Sequence, residues 1–412
     1  MQSPAALATP DPRRLRRELH RAERRRKVGA LLAIAPLALF LLVVFVLPIG
    51  SLLQRAVANP EVQQALPRTV VALKDWDRHA LPPDAAFDAL AADLLAARQG
   101  AGTGDLGRRL NAEISGFRSL IAKTGRALPR PEPAREALPD IDARWGELPY
   151  WQAIARNAGR TTPAYLLAAL DLRQGATGAV EAAPPDTAIY RGILGRTLWI
   201  GALTTLLALV VAFPLAYWMS TLPARQANLA MICVLIPFWT SVLVRIAAWI
   251  VLLQQSGLVN TGLQALGAIG SPLALLFNRT GVTISMVHIL LPFMILPLYS
   301  VMKSIPPTYQ RAAISLGSHP FAAFWRVYVP QTYAGIVAGT LLVFITSIGY
   351  YITPALLGGP GDQMVSYYVA YFTNHANWGM ASALGALLLA ATLLLYTVYQ
   401  RIARPNAAAV AR

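Results

Sequence analysis

The chain of 412 residues is 55% hydrophobic and only 14% charged, with a mean hydropathy of +0.46. That balance excludes an ordinary soluble globular protein and indicates an all-α polytopic membrane protein. The net charge of +16 is no nucleic-acid signature either: of 20 acidic residues, three precede residue 30, sixteen lie between residues 51 and 192 and only Asp362 follows, while the basic residues divide as nine, seventeen and ten over the same regions.

Nine basic residues between Arg13 and Lys27 form a tail over 1–27, followed at once by an apolar run over 28–50. Ala56-Val57-Ala58 resembles a secretory cleavage site, but an apolar run of this length exceeds a signal peptide and matches the ~30 Å hydrocarbon core. It is expected to be a first transmembrane helix with a cytoplasmic N-terminus, its basic tail placed to meet anionic lipid.

Residues 51–192 are polar, nearly charge-balanced and too long for a simple loop. Amphipathic stretches near Phe87 to Arg98, Leu106 to Thr124 and Tyr150 to Leu172 predict a helical extracytoplasmic insertion. Breaks are expected at Pro82-Pro83, at Gly100 to Gly104 and from Pro129 to Pro139. No metal-ligand spacing, nucleophile motif or repeat occurs in it, and Trp76, Trp145 and Trp151 read as core or interface anchors.

Residues 193–405 alternate apolar segments with short loops, and a short tail, 406–412, follows. Spans are predicted near 194–220, 229–254, 281–302, 333–353 and 381–400, six in all with the first, and the basic loops then fall on the cytoplasmic side. Cys233, the single cysteine, lies in an apolar segment, so no intrachain disulfide can form. Arg245 sits inside the third span at an insertion cost of ~2.5–3.5 kcal/mol, with no carboxylate in any predicted span to pair with. It is either a structural arginine satisfied by carbonyls or a group lining a translocation path. His288 reads as a buried histidine, and Gly335 with Gly339 permits close helix contact.

A polar, basic island over 304–332 interrupts the apolar pattern. Pro306-Pro307 suits a helix start, Arg311 to Leu316 a short helix, Gly317 its end, Pro320 a second start and Pro330 a second stop. These residues resemble the cytoplasmic "EAA" loop in the membrane subunits of ATP-binding-cassette importers: Ala312, Ala313, Gly317, Val327, Val329 and Pro330 fall on its spacing, and Arg311 stands where that family usually has Glu. Three further stretches resemble the spermidine/putrescine-type permeases: Pro237 to Arg245 with Ala248-Trp249, Gly257 to Asn260, and Thr353 to Asp362.

The resemblance implies the type I importer permease fold, with Arg311, Ala312, Ala313, Gly317, Pro320 and Pro330 coupling to an ATPase. It implies a cytoplasmic ATPase dimer as partner, a second permease subunit in a heterodimer or homodimer, and a periplasmic substrate-binding protein, all at the bacterial inner membrane. The chain itself has no Gly-x-x-x-x-Gly-Lys-[Ser/Thr] loop, so ATP and magnesium are expected on the partner, and no catalytic or metal-binding residue is expected here. For a polyamine, Trp239, Arg245, Trp249, Tyr350, Tyr351 and Asp362 are the candidate path residues. The rival class, an ion-gradient-driven secondary transporter or channel, commonly carries paired intramembrane carboxylates or inverted repeats, and neither is evident. A membrane enzyme would need a catalytic histidine spacing that the five histidines lack.

Overall fold

The computed structural model describes residues 12–98, 102–175 and 179–410, with backbone alone for 12–22 and 402–410. The outer tails, part of the basic N-terminal run and part of the Gly100 to Gly104 break therefore lie outside the described residues. Two units are distinguished, 1–55 and 56–412. The first is one helix, α1, running Pro12–Leu41 through a π-helical turn Leu42–Val46 into Leu47–Arg55. Its apolar side chains are exposed on all sides, Leu31 and Leu32 by 68% each, as suits a helix bathed in lipid.

In the second unit, residues 56–171 form eight helices: α2 (Pro60–Ala65), α3 (Pro67–Ala72), α4 (Asp84–Arg98), α5 (Gly102–Asn111), α6 (Phe117–Ala127), α7 (Ala134–Ile141), α8 (Leu148–Arg156) and α9 (Ala164–Ala169). The stretch read from Leu106 to Thr124 is two helices, because the chain turns at Gly116 with φ +90°. A hairpin, β1 (Leu172–Gln174) with β2 (Val180–Ala182), follows where helix was expected to run out. The helices enclose a core around Phe87, Phe117, Trp145 and Trp151, with Phe87 and Trp151 ring centroids 4.5 Å apart. Both indole N–H groups are satisfied, Trp145 donating to Thr124 Oγ1 at 2.8 Å and Trp151 to the Trp145 carbonyl at 2.9 Å, so burying them strands no polar group. Trp76 is only partly buried beside them.

The two ends of this insertion are pinned together: Asn59 N–H donates to the Arg160 carbonyl at 2.9 Å and Thr162 N–H to the Val57 carbonyl at 2.8 Å. Adjacent ends are what allow a long segment to be inserted without spreading its host.

Further helices, most of them apolar, follow: α10 (Tyr190–Thr221), α11 (Ala224–Leu235), α12 (Val242–Leu253), α13 (Leu258–Ala265), α14 (Arg279–Ser304), α15 (Thr308–Ser315), α16 (Pro320–Ala323), α17 (Tyr333–Gly349), α18 (Ile352–Leu357), α19 (Val365–Asn374) and α20 (Trp378–Val410). Among the described residues five helices are long and apolar enough to cross a membrane, and six if Pro320–Gln331 and Tyr333–Gly349, bent by 61°, form one span.

The third span differs from the sequence reading. The expected 229–254 helix breaks at Ile236–Trp239, a 3-10 turn opened by Pro237, and Thr240 and Ser241 are extended before α12 starts. The qualifying span is instead Val242–Ala265. The fifth is shorter than expected, ending at Gly349 with Tyr350 extended.

Helices α10, α14 and α17 form the centre of the bundle, with α14 the most enclosed through Met286, Leu290, Met294 and Leu298. A Cβ at Gly335 would stand 3.1 Å from the Pro297 carbonyl oxygen, and one at Gly339 would stand 2.8 Å from Met294 Sδ. The Gly-x-x-x-Gly spacing thus brings α17 onto α14 at backbone distance.

Candidate functional site

Two constellations stand out, one at an end of the bundle and one inside it. The first is the polar island. Helix α15 ends in a Schellman motif: Gly317 at φ +90° donates to the Ile314 carbonyl at 2.9 Å, and Ser318 N–H to the Ala313 carbonyl at 3.0 Å. Only a residue without a Cβ adopts that φ freely, so the turn direction is written into Gly317. His319 then caps α16, its Nδ1 accepting the Phe321 N–H at 3.3 Å.

The second helix does not stop at Pro330 as expected. It widens into a π-helical turn, Phe324–Tyr328, in which Val329 donates to the Phe324 carbonyl, and continues through Val329–Gln331. Pro330 has no N–H to give, so the wide turn sits directly before a residue that cannot extend the regular ladder. The π turn of α1 obeys the same rule, with Leu47 donating to Leu42 and Pro48 next.

This segment turns one aromatic face outward and one inward. Phe321 and Trp325 are 68% and 53% exposed. Inward, Phe324 meets Tyr217 of α10 at 5.2 Å and Phe213 at 6.4 Å, stacks on Tyr328 at 5.5 Å, and Tyr328 meets Tyr217 at 5.2 Å. The two faces connect through Phe324 and Trp325, 5.6 Å apart. Lys303 holds the same end of α10 from α14, its ammonium donating to the Ser220 and Leu222 carbonyls at 3.1 and 3.0 Å. Those are carbonyls a helix C-terminus leaves unpaired, and they favour a cation. Of the residues singled out by sequence, Arg311, Ala312, Gly317, Pro320 and Pro330 are exposed on this segment and Ala313 is half-buried. Tyr217, Phe213, Phe324 and Tyr328 are additions that sequence reading missed, as are the carbonyl partners of Lys303.

The second constellation lies between the broken third span and α14. Trp249 donates from Nε1 to His288 Nδ1 at 3.2 Å. An indole nitrogen can only donate, so Nδ1 is the acceptor, and a neutral ring carries its proton on Nε2. Arg245, one turn earlier, lies 5.9 Å from the Phe238 ring, which packs on Phe293 at 5.0 Å. The buried Arg245 Nε has no hydrogen-bond partner among the described residues. Phe238 lies in the 3-10 turn of the break and Arg245 in the first turn of α12, so this contact joins the two halves of the broken span.

Of the other expected path residues, Tyr350 lies within electrostatic reach of Arg245 and the rest fall elsewhere. Trp239 is 82% exposed and Tyr351 42%, while Tyr350 packs on the bundle core and its carbonyl accepts from Ser366. Asp362 is buried, accepts from Arg279 Nε at 3.2 Å and from Gly359 N–H at 3.2 Å. Arg279 opens α14 nine residues before His288, about 13 Å along the axis, so Asp362 belongs to the helix end and not to the Arg245 cluster. Beside it, Pro360, Gln363, Tyr367, Tyr368 and Tyr371 line an open cleft of about 440 Å³.

Residues 197–406 match the protein family described as binding-protein-dependent transport system inner membrane component. The chain is 35% identical over 214 residues to the spermidine/putrescine transport system permease protein PotB of Haemophilus influenzae, covering 52% of this chain and 75% of that one. It is 32% identical over 217 residues to PotB of Escherichia coli, covering 52% and 79%. Among solved structures it is similar to a bacterial ABC transporter involved in the import of the acidic polysaccharide alginate, at 17% identity and TM-score 0.45, covering 52% of this chain and 79% of that one. The family match begins beyond the insertion, at residue 197.

Proposed function

The chain belongs to the binding-protein-dependent transport system inner membrane components, and from that premise we propose that it is the permease subunit of an ATP-driven importer for polyamines. It is a membrane-spanning transporter subunit, not an enzyme. ATP and magnesium are carried by a cytoplasmic ATPase dimer, substrate arrives on a periplasmic binding protein, and both termini of this chain are cytoplasmic. The spermidine/putrescine relatives support the substrate class.

The observation that carries the reading is the helix, Gly317 turn and helix at the end of α10 and α14, with rings exposed outward and packed inward. Such a segment presents a surface to a separate subunit and is mechanically joined to a span. Arg311, Ala312, Ala313, Gly317, Pro320 and Pro330 form the docking element in this reading.

The bundle's charge supports a heterodimer. Beyond residue 190 the only side-chain carboxylate is Asp362, and Arg279 engages it. Arg245 places a like charge beside any polyamine that reaches Trp249 and His288. Aromatic faces such as Trp249 offer ~0.5–2 kcal/mol each to an ammonium but do not neutralise it. A second copy of this chain would bring the same carboxylate-poor spans, so the acidic groups of the path come from a different permease subunit.

Gly317→Val tests the docking reading. A β-branched residue at φ +90° opposes the turn, so the variant inserts in the membrane, loses most of its bound ATPase and loses uptake. Wild-type uptake with full ATPase retention in that variant would falsify it.

A further inference from the structure

The end of the bundle that carries the docking segment is cationic throughout. Arg225 opens α11, Lys303 closes α14, Arg311 and Arg326 are exposed on the docking segment, and Arg401 follows Tyr399, whose hydroxyl bonds the Val337 carbonyl near the start of α17. Within 190–401 no side-chain carboxylate faces them, since Asp362, the only one there, pairs with Arg279 at the opposite end of α14. Arg311 and Arg326 make no ion pair among the described residues, and between them Leu316, Phe321 and Trp325 are 89%, 68% and 53% exposed. This is an apolar patch flanked by unneutralised guanidinium groups.

Resting on the docking reading above, we propose that the ATPase surface seated on this segment is acidic, with carboxylates placed against Arg311 and Arg326. A guanidinium buried in an interface without a counter-charge loses its hydration with nothing in return, and like charges placed opposite each other repel strongly. Interfaces built on complementary charge form faster and loosen as salt screens them. Arg311 therefore selects its ATPase by sign: a subunit whose cleft is built of basic residues is rejected.

The test uses the full-length chain expressed with its ATPase and purified from membranes over a series of salt concentrations. The wild-type complex is expected to dissociate as salt rises. Arg311→Glu is expected to retain about tenfold less ATPase at low salt, with Arg326→Glu additive to it. Arg311→Lys keeps the charge and supplies an amine, so a carbodiimide, which joins amines to carboxylates in contact, gives a cross-link from residue 311 to the ATPase, mapped by mass spectrometry, that the wild-type guanidinium does not form. Salt-independent retention, equal in Arg311→Glu and wild type, overturns the acidic surface while docking stands. Retention unchanged in Gly317→Val as well overturns docking, and the inference with it.

Discussion

Asp142 shows how single side chains fix the insertion. Arg144 donates to both its oxygens, at 2.8 and 2.9 Å, and Lys123 donates at 3.1 Å. The Arg144 guanidinium holds the Asp142 carboxyl well below its usual value of 3.8. A folded value below the unfolded one means the stabilisation is complete above pH 4 and is lost as pH falls through the unfolded and then the folded value. The insertion is expected to loosen on acidification, followed by the fluorescence of Trp145, three residues on, and Asp142→Asn should loosen it already at neutral pH with a flatter acid response. An acid profile identical in Asp142→Asn and wild type would remove Asp142 from that role. Sequence alone marked Trp145 and Trp151 as anchors, because a large indole more often fills a core or an interface than a ligand cage. The Trp249 to His288 bond was beyond it: the pair is 39 residues apart, and only the packing of α12 on α14 joins them.

Among the elements, α15 and its glycine were legible because φ above zero has a residue-level signature. The π turn at Phe324–Tyr328 was not, since Pro330 reads as a stop in any local rule. The broken third span failed for a related reason. Pro237, Phe238 and Trp239 keep the hydropathy high through the break, and periodicity cannot distinguish one apolar helix from two meeting at an angle. The ring set at the π turn has a functional consequence. If motion at Phe321 and Trp325 reaches the spans through Phe324 onto Tyr217 and Phe213, Phe324→Ala leaves the outward rings and the ATPase contact in place. The expected phenotype is uncoupling: uptake down by about tenfold or more, ATP hydrolysis by the assembled complex largely retained. Parallel loss of both activities, or loss of neither, would rule the ring set out as the link.

For the whole molecule, hydropathy gave the approximate place of most spans, five among the described residues and six if the bent pair is one, and the insertion was legible as helical from its amphipathic stretches. The pairing of its ends, which depends on contacts across about a hundred residues, was not, and neither was the short local hairpin. Sidedness is tested by cysteine labelling in a Cys233→Ser background, and burial decides where the probes go. Leu110 and Asp362 are 0% and 8% exposed and would stay unreactive from either side. Arg130 and Gly361 are exposed, as is Arg311. Cysteines at 130 and 361 are expected to react with an impermeant reagent from the periplasm, and one at 311 only after the cytoplasmic face is opened. Reaction of 311 from outside would invert the topology.

The way the insertion is fastened carries a consequence for how transport can be watched. Both oxygens of Asp171, next to the end of α9, accept from the first turn of α10, Tyr190 N–H at 2.8 Å and Arg191 N–H at 2.7 Å. Tyr165 of α9 lies so close to Gly379 of α20 that a Cβ there would stand 2.3 Å from its ring. An appendage clamped to two spans at once cannot swivel independently of them. It is expected to turn like the needle of a dial with the ends of α10 and α20 that hold it, its tip sweeping a wider arc than those ends do.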